Sequence, residues 1–409
     1  MLSASSRSLS RRCRPWTVTS SCSRKRFVVT SSIPTIASHR HHTSRALSTI
    51  SFDAAAYFSN SPSSLSIENN NPATITTSNN NISIEHQFTR QQAEEQINQW
   101  IKNNPLIAPY KAEECLARLW VTQQEIFDEW AKAESSSSPP PVLITPNTVN
   151  LCISAWCYSN KGQIAAERAQ RLLNWMENLP ASTNTASSSS SSSSSSQFSS
   201  LLPQPNYQSY ALAIDAWAQA AVIESSKGSA ATTTTTTTNN TATNSKAIPD
   251  ATKAGFNCAK RAEELLMRMQ AKHEELQRLS EITNRDYYPY NSELQPDTNV
   301  FNKVLMAWSH IRGGTKASSI RAMRILDLMQ ELHHHQSSDA PSWQGIGLSK
   351  VQPNLHTYKC VIYAWGHASH TLEGPDRAEE ILRHMLSISK AGNNLGKEVL
   401  PDEECFILL

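Results

Sequence analysis

The chain has 409 residues and a formal net charge of +2 at pH 7, with 37 Lys and Arg against 35 Asp and Glu. A membrane-spanning protein is not expected, because no apolar stretch approaches the roughly 20 residues that cross a bilayer. The eight cysteines include no Cys-x-x-Cys motif. This absence argues against a zinc site, and scattered cysteines suit a reducing compartment.

The N-terminal region is basic and contains no acidic residue before Asp53. Eight Arg and one Lys lie between Met1 and Phe52, where Ser and Thr are abundant. This composition is typical of an organelle transit peptide, and residues 45–48 (Arg-Ala-Leu-Ser) look like a mitochondrial processing site. The sequence therefore predicts a transit peptide over 1–47 and a mitochondrial location, with a plastid as the alternative. A disordered basic arm that binds nucleic acid is the other interpretation.

Several segments are biased towards Ser, Thr, Asn and Pro. They can bury too little apolar area to offset the entropy lost on ordering them. The clearest are the uninterrupted runs Ser187–Ser196 and Thr232–Thr238. We predict that residues 48–86 are disordered and that residues 135–145 are a linker. We also predict low-complexity inserts near 181–202, 222–255 and 332–350.

Residues 87–134 have the composition of helices, mainly at Gln91–Lys102 and Lys111–Ala133. The segment that begins with Lys111-Ala112-Glu113 loosely echoes a block that recurs later in the chain. Because the terminal units of repeat proteins are usually atypical, we interpret this region as a helical N-terminal cap or a degenerate repeat.

Two short blocks recur four times within residues 146–409. The first block, an aliphatic residue followed by x-Ala-Trp, lies at Ile153–Trp156, Ile214–Trp217, Leu305–Trp308 and Ile362–Trp365. The second block, Arg-Ala-x-x-[Leu/Ile]-Leu-x-x-Met, lies at Arg168–Met176, Arg261–Met269, Arg321–Met329 and Arg377–Met385. Apolar residues at i, i+3, i+4 and i+7 give each block one apolar stripe on a helix. Two such helices cannot bury their stripes alone, so the units must stack.

Pro followed by Asn or Asp opens three of the copies at one spacing, at Pro205, Pro296 and Pro353. Pro ends the preceding connection, and Asn or Asp is a good helix cap. The copy that begins at Pro146 has a shorter spacing and starts irregularly. Pro401 opens a fifth copy, of which only the beginning is present in the sequence.

The order Pro-[Asn/Asp]-x-x-x-[Tyr/Phe], an apolar helix and then the Arg-Ala block resembles the pentatricopeptide repeat (PPR) family over roughly residues 142–409. The turn between the two helices of a unit is about four residues longer than the family norm. The resemblance implies an all-α fold. It would be an α-solenoid of stacked helix-turn-helix repeats, with long disordered insertions and a disordered N-terminus.

The resemblance also implies where RNA would bind. In the family, a residue early in a first helix reads each base together with the residue two after the next opening Pro. The matching pairs here are Leu151 with Tyr207, Leu212 with Thr298, Lys303 with Leu355, and Cys360 with Glu403. The base-sandwiching position falls on Ser209, Val300 and Thr357. Leu cannot hydrogen-bond a base edge, so no readable base code is expected. Lys303 is the best candidate for a contact to a phosphate or base.

The charge balance argues against RNA. Nine of the basic residues lie in 1–47, so the rest of the chain has 28 basic and 35 acidic residues. Proteins that bind polyanions are usually basic, because neutralising phosphates drives their affinity. A repeat array can nevertheless read splayed bases from one local face and carry its acidic residues elsewhere.

No P-loop, Gly-rich dinucleotide turn or Gly-x-Ser-x-Gly motif occurs, so we expect no enzyme, metal or cofactor. We also expect no membrane or small-molecule partner. The predicted function is binding of single-stranded organellar RNA, acting in its processing, stability or translation. The alternative is a protein-interaction scaffold of an organellar complex, such as a ribosome-associated assembly. A third hypothesis is a nuclease whose catalytic domain would follow Leu409.

Overall fold

The computed structural model describes residues 89–132, 140–179, 202–231, 250–283, 294–311, 316–338, 351–368, 373–390 and 399–407. This part of the chain is all-α, with eleven helices and no strand. No helix within it is long and apolar enough to span a bilayer. The predicted transit peptide 1–47, the segment 48–86 and the serine and threonine runs lie outside the described residues.

The helices follow one another in pairs. They are α1 Arg90–Asn103, α2 Ala108–Lys132, α3 Pro146–Cys157, α4 Gln163–Asn178, α5 Tyr207–Ala231, α6 Asp250–Thr283, α7 Thr298–Ser309, α8 Lys316–Ser338, α9 Leu355–His367, α10 Glu373–Lys390 and α11 Glu403–Ile407. We call the odd-numbered helices α1 to α9 the first helices, and the even-numbered helices the second helices.

The packing of these helices follows their order in the chain. Each first helix packs against its own second helix and against the next first helix. Each second helix from α2 to α8 also packs against the first helix that follows it. Within the described residues, no two second helices form an extensive contact. The first helices therefore make one row of neighbours, and each second helix from α2 to α8 packs against two consecutive first helices.

The predicted apolar stripes are confirmed as the core. The tryptophans of the four first blocks are at most 5% exposed, and Trp156 and Trp308 are fully buried. The four methionines that end the second blocks are also fully buried. A buried aromatic side chain removes a large apolar area from water, so these residues supply much of the stability of each contact.

The predicted helix caps are also present. The side chains of Asn206, Asp297 and Asn354 each accept the backbone N–H of the residue three positions later. In the copy that starts irregularly, Thr145 and not Asn147 caps the helix. Each of these side chains satisfies one backbone donor that a helix leaves unpaired at its start.

In three copies, the residue three positions after the cap also hydrogen-bonds to the preceding first helix. We call this contact the cap joint. The hydroxyl of that residue donates over 2.7 Å to a side-chain oxygen in each case: Thr148 to Glu94, Ser209 to Asn150, and Thr357 to Asn302. Between α5 and α7 the matching positions hold Ala211 and Val300, which carry no polar side-chain group. Three of the four contacts between first helices therefore have the same polar connection.

A second connection, the tryptophan joint, links the second helices α2 and α4 to the next unit. The indole Nε1 of Trp156 donates to Glu113 over 2.8 Å, and that of Trp217 donates to Gln170 over 2.9 Å. Gln170 is the third residue of its Arg-Ala block, and Glu113 holds the matching place in Lys111-Ala112-Glu113. Helix α2 thus contacts the following unit in the same way as α4 does. The interpretation of residues 87–134 as a helical N-terminal cap or a degenerate repeat stays a prediction.

Helices extend into two of the predicted inserts. Helix α5 continues to Ala231 and α6 begins at Asp250, so only the middle of the predicted 222–255 insert lies outside the described helices. Similarly, α8 continues to Ser338, into the predicted 332–350 insert. For α5 and α6 the reason lies in small side chains, which let these two helices approach closely. They are Ala218, Ala221, Ser225, Gly255, Cys258, Ala259 and Ala262, all buried.

Replacing Gly255 by Ala tests this close crossing. An added Cβ would lie well inside contact distance of Ser225 Oγ and 3.2 Å from the carbonyl oxygen of Ala221. We expect the free energy of unfolding to fall by about 1–2 kcal/mol. Overpacking costs about 1–3 kcal/mol, and the better helix propensity of Ala returns about 1 kcal/mol or less. Urea unfolding followed by circular dichroism measures the change.

The matched control is the same substitution in a Ser225→Ala background. The Ser225 hydroxyl is then gone, so Gly255→Ala should cost less stability than it does in the natural chain. An equal loss in both backgrounds, or a gain in stability, would contradict the crossing.

Candidate ligand-binding face

Four first helices turn a matching stripe of residues away from the core. On α3, α5, α7 and α9 these residues recur at i, i+4, i+7 and i+11, which places them on one side of a helix. All of them except Asp215 and Cys360 are exposed or half-buried. We call this surface the open face. It consists of Asn147, Leu151, Ser154 and Tyr158; Gln208, Leu212, Asp215 and Gln219; Asn299, Lys303, Met306 and His310; and His356, Cys360, Tyr363 and His367.

The first members of the predicted base-reading pairs all lie on the open face. Leu151, Leu212, Lys303 and Cys360 each stand five residues before a core tryptophan, so the row of first helices brings them to matching positions. Leu151 and Leu212 are half-buried, while Cys360 is buried and burial raises the pKa of its thiol to about 12. Three of the four positions thus offer no charged group to a ligand.

The fourth position, Lys303, is held in an ion pair. Its Nζ lies 3.0 Å from Asp215 Oδ1 on the neighbouring helix α5. The Asp215 carboxylate is only 13% exposed, and the lysine side chain is 34% exposed. Lys303 and Asp215 are the only Lys, Arg, Asp or Glu residues among the sixteen of the open face. Apart from its histidines, the open face is therefore electrically neutral.

The second members of the pairs stand at the first positions of their helices. Thr298 hydrogen-bonds the backbone of Gln352, donating to its oxygen over 2.9 Å and accepting from its nitrogen over 2.8 Å. Burial and a hydrogen bond to Asp297 raise the pKa of the half-buried Tyr207. Leu355 is half-buried, and Glu403 is exposed. Thr298 and Tyr207 thus already bind neighbouring segments of the chain.

The predicted sandwiching residues lie inside the helix packing. Ser209 and Thr357 are fully buried and donate the hydrogen bonds of two cap joints, and Val300 is 1% exposed. None of the three side chains is accessible to a ligand in this structure. The sequence carries the reason, because Asn-x-x-Ser and Asn-x-x-Thr at a helix start form the pattern of a helix cap and its third residue. The site prediction from the family resemblance did not take this capping pattern into account.

Planar side chains on the open face were not singled out by the sequence reasoning. The rings of His310 and Tyr363 lie nearly parallel, at 6° between planes and 6.4 Å between centroids. The ring of His367 meets Tyr363 edge-on at 5.6 Å. Burial, Lys359 and Lys303 lower the pKa of the nearby His356. The signal that could have identified His310, Tyr363 and His367 is their helical spacing from Lys303 and Cys360.

The cysteines of the described residues are buried side chains of the helices. Six described cysteines are buried and free, and no three His, Cys, Asp or Glu side chains cluster as a metal site there. Burial raises the pKa of Cys157 and of Cys258 to about 12. These thiols are therefore protonated at neutral pH and are poor nucleophiles and ligands.

Comparisons with protein-family models, with curated proteins and with solved structures found no match to this chain.

Replacing Thr357 by Ala separates a structural role from a ligand-binding one. The change removes the donor to Asn302 Oδ1 and leaves a buried acceptor unpaired, which costs about 1–3 kcal/mol. We expect the free energy of unfolding to fall by that amount, measured by urea unfolding, while Thr357→Ser keeps most of the stability. Unchanged stability together with weaker RNA binding would instead assign Thr357 to the ligand.

Proposed function

We propose that this protein is a PPR-type helical-repeat array that binds single-stranded RNA in an organelle and acts in RNA processing, stability or translation. The observation that carries the proposal is the row of first helices, in which α3, α5, α7 and α9 present one matching stripe side by side. A surface built by repetition suits an extended polymer better than a compact ligand. The basic, acid-free leader supports the organelle, with the mitochondrion as the first candidate and a plastid as the second.

The planar side chains of the open face support a nucleic acid as that polymer. Proteins that bind single strands without sequence preference stack successive bases on aromatic rings. The open face offers Tyr158 at α3, and His310, Tyr363 and His367 at α7 and α9. Stacking needs no hydrogen-bonding residue at the Leu151 and Leu212 positions. It therefore accommodates side chains that cannot read a base edge.

The ion pair between Lys303 and Asp215 determines how such binding would respond to salt. Each phosphate that a cation neutralises on a single strand contributes a slope of about −0.7 to the dependence of log K on log salt. Because the only lysine of the open face is already paired, the slope should correspond to very few phosphate contacts. Stacking then supplies most of the affinity.

Asp215→Asn tests this arrangement in the full chain. The amide is isosteric but uncharged, so Lys303 becomes available to a phosphate. We expect tighter binding of a labelled single-stranded RNA at low salt and a salt slope steeper by about 0.7. Fluorescence anisotropy across a salt series measures both quantities.

The double variant Asp215→Asn, Lys303→Gln is the matched control and should return the slope to that of the natural chain. No detectable binding of organellar transcripts at any salt concentration would reject the RNA proposal.

A second candidate is a protein-interaction scaffold of an organellar complex, and the composition of the open face favours it. Leu151, Leu212 and Met306 are apolar, and the one lysine is neutralised by Asp215. A neutral face with aliphatic side chains suits a partner helix, since helices dock through apolar anchors at helical spacing.

Recovery of partners from organelle extracts, with and without nuclease, separates the two candidates. If the array acts through RNA, we expect co-purifying proteins to be lost after nuclease treatment, because RNA would connect them. Partners that survive nuclease and are lost in Leu212→Glu would favour the scaffold, because a buried charge at this position would disrupt an apolar contact. Gln208→Glu is the control, since it adds the same charge at an exposed position of the same helix.

A further inference from the structure

Four large apolar side chains are exposed at the turns of the first two helix pairs. Leu106 and Ile107 lie between α1 and α2, Tyr110 lies in the first turn of α2, and Ile164 lies at the start of α4. They are between 40% and 62% exposed. We call these four residues, together with Lys161 between α3 and α4, the turn patch. Exposed apolar groups that cluster on a surface mark interaction sites, whereas scattered ones do not.

Lys161 connects the two halves of the turn patch. Its Nζ donates to Tyr110 Oη over 3.3 Å and lies 4.5 Å from the centroid of the same ring. Ile164 follows Lys161 by three residues, and Leu106 precedes Tyr110 by four. The turn between α1 and α2 and the turn between α3 and α4 therefore meet at one edge of the array.

The tyrosine of the turn patch is held against the buried core. Its ring meets that of Trp156 edge-on, at 75° between planes and 5.2 Å between centroids. Trp156 is itself held by its hydrogen bond to Glu113. A ring that is fixed before binding loses little conformational entropy when a partner packs on it, and tyrosines often supply much of the binding energy of a protein interface. Tyr110 is thus suited to anchor a protein partner.

The charges at the turn patch are positive. Lys161 contacts a phenol, and Lys102, in the last turn of α1, lies four residues before Leu106. Neither lysine forms an ion pair with a carboxylate of the described residues, whereas Lys111 is paired with Glu114. Two ammonium groups beside exposed apolar side chains complement a partner that carries carboxylates beside its own apolar groups.

We propose that the turn patch docks an acidic amphipathic helix of another protein, one with aliphatic anchors on one face and Glu or Asp beside them. Such a helix docks through apolar residues at i, i+3, i+4 and i+7, and its carboxylates would pair with Lys161 and Lys102. The proposal goes beyond the proposed function, because the turn patch shares no residue with the open face and its occupant is not RNA.

The same features disfavour other occupants. In a symmetric contact between two copies of this chain, the lysines of one turn patch would approach those of the other, and like charges repel. Leu106, Ile107 and Ile164 have no ring on which a base could stack. Stable attachment to a membrane takes a lipid anchor or a larger cluster of basic residues, and the turn patch has two lysines beside it.

Two labelled helical peptides test the proposal on the full chain by fluorescence anisotropy. Both carry Leu at i, i+3, i+4 and i+7, and the flanking positions are Glu in one peptide and Lys in the other. We expect the Glu peptide to bind at least about 10-fold more tightly, because like charges across an interface are costly. The double variant Lys102→Glu, Lys161→Glu should reverse this preference, since it changes the sign of the charge and keeps the apolar groups.

Substitution of an apolar anchor tests the other half of the proposal. Ile164→Ser should weaken binding of the Glu peptide by about 10-fold, because it removes an apolar contact. Ile320→Ser is the matched control and should leave binding unchanged. Ile320 is also an exposed isoleucine near the start of a second helix, α8, but it lies outside the turn patch. Urea unfolding checks that both variants keep the stability of the natural chain.

Several outcomes would overturn the proposal. No binding of the Glu peptide at up to about 1 mM would do so, and so would equal binding of the two peptides. Binding to phosphatidylserine vesicles that Ile164→Ser abolishes, with no effect on the peptide, would assign the turn patch to a membrane. Self-association in analytical ultracentrifugation that the same variant abolishes would assign it to a second copy of this chain.

Labelled single-stranded RNA separates this proposal from the proposed function. If Ile164→Ser binds RNA as the natural chain does but loses the peptide, the turn patch is a protein site apart from the open face. If the variant loses RNA binding and keeps the peptide, the turn patch belongs to RNA and the proposal is overturned. If the natural chain binds the Glu peptide but no RNA, the turn patch stands and the proposed function fails.

Discussion

The packing of each first helix against the preceding second helix is the constraint on which the rest of the structure depends. The third residue of the preceding Arg-Ala block, or of its N-terminal equivalent, determines how the arginine of the following block is paired. Where this residue is Glu, the arginine of the following block forms an ion pair with it, as Arg168 does with Glu113 and Arg321 with Glu263. Each of these arginines also lies within 6 Å of a tryptophan ring, Arg168 of Trp156 and Arg321 of Trp308. With Gln170 or Met323 there, the following arginine stays exposed and pairs within its own helix, as Arg261 does with Glu264 and Arg377 with Glu380.

This relation explains why the arginine that begins each Arg-Ala block has different environments in different copies. Arg168 has a side chain only 8% exposed, and its partner Glu113 is buried with its pKa raised, first of all by burial. A buried charge needs a partner and hydrogen bonds to be tolerated, and Glu113 has both, from Arg168 and from the indole of Trp156. The contact between α2 and α3 thus combines a buried ion pair with an indole hydrogen bond.

Much of the fold could be predicted from the sequence, because helix period, caps and tryptophan spacing are local signals. The extents of α5 and α6 could not, since small side chains packing across a helix pair are a tertiary effect that overrides a biased composition. The candidate site was harder to predict than the fold. Ser209 and Thr357 have the residue types expected near a ligand, but the cap joints use their hydroxyls. The rings of His310 and Tyr363 become a pair only when α7 and α9 pack.

The two kinds of joint also determine what remains for a ligand. The polar groups at the starts of the first helices are bound to neighbouring segments, and Lys303 is paired with Asp215, so the open face keeps few groups that could recognise a sequence or attract a polyanion from a distance. Selectivity on such a surface has to come from shape and from stacking, which tolerate any base. RNA binding of the proposed kind would therefore distinguish single strands from duplexes more strongly than one sequence from another, because only unpaired bases can stack on exposed rings.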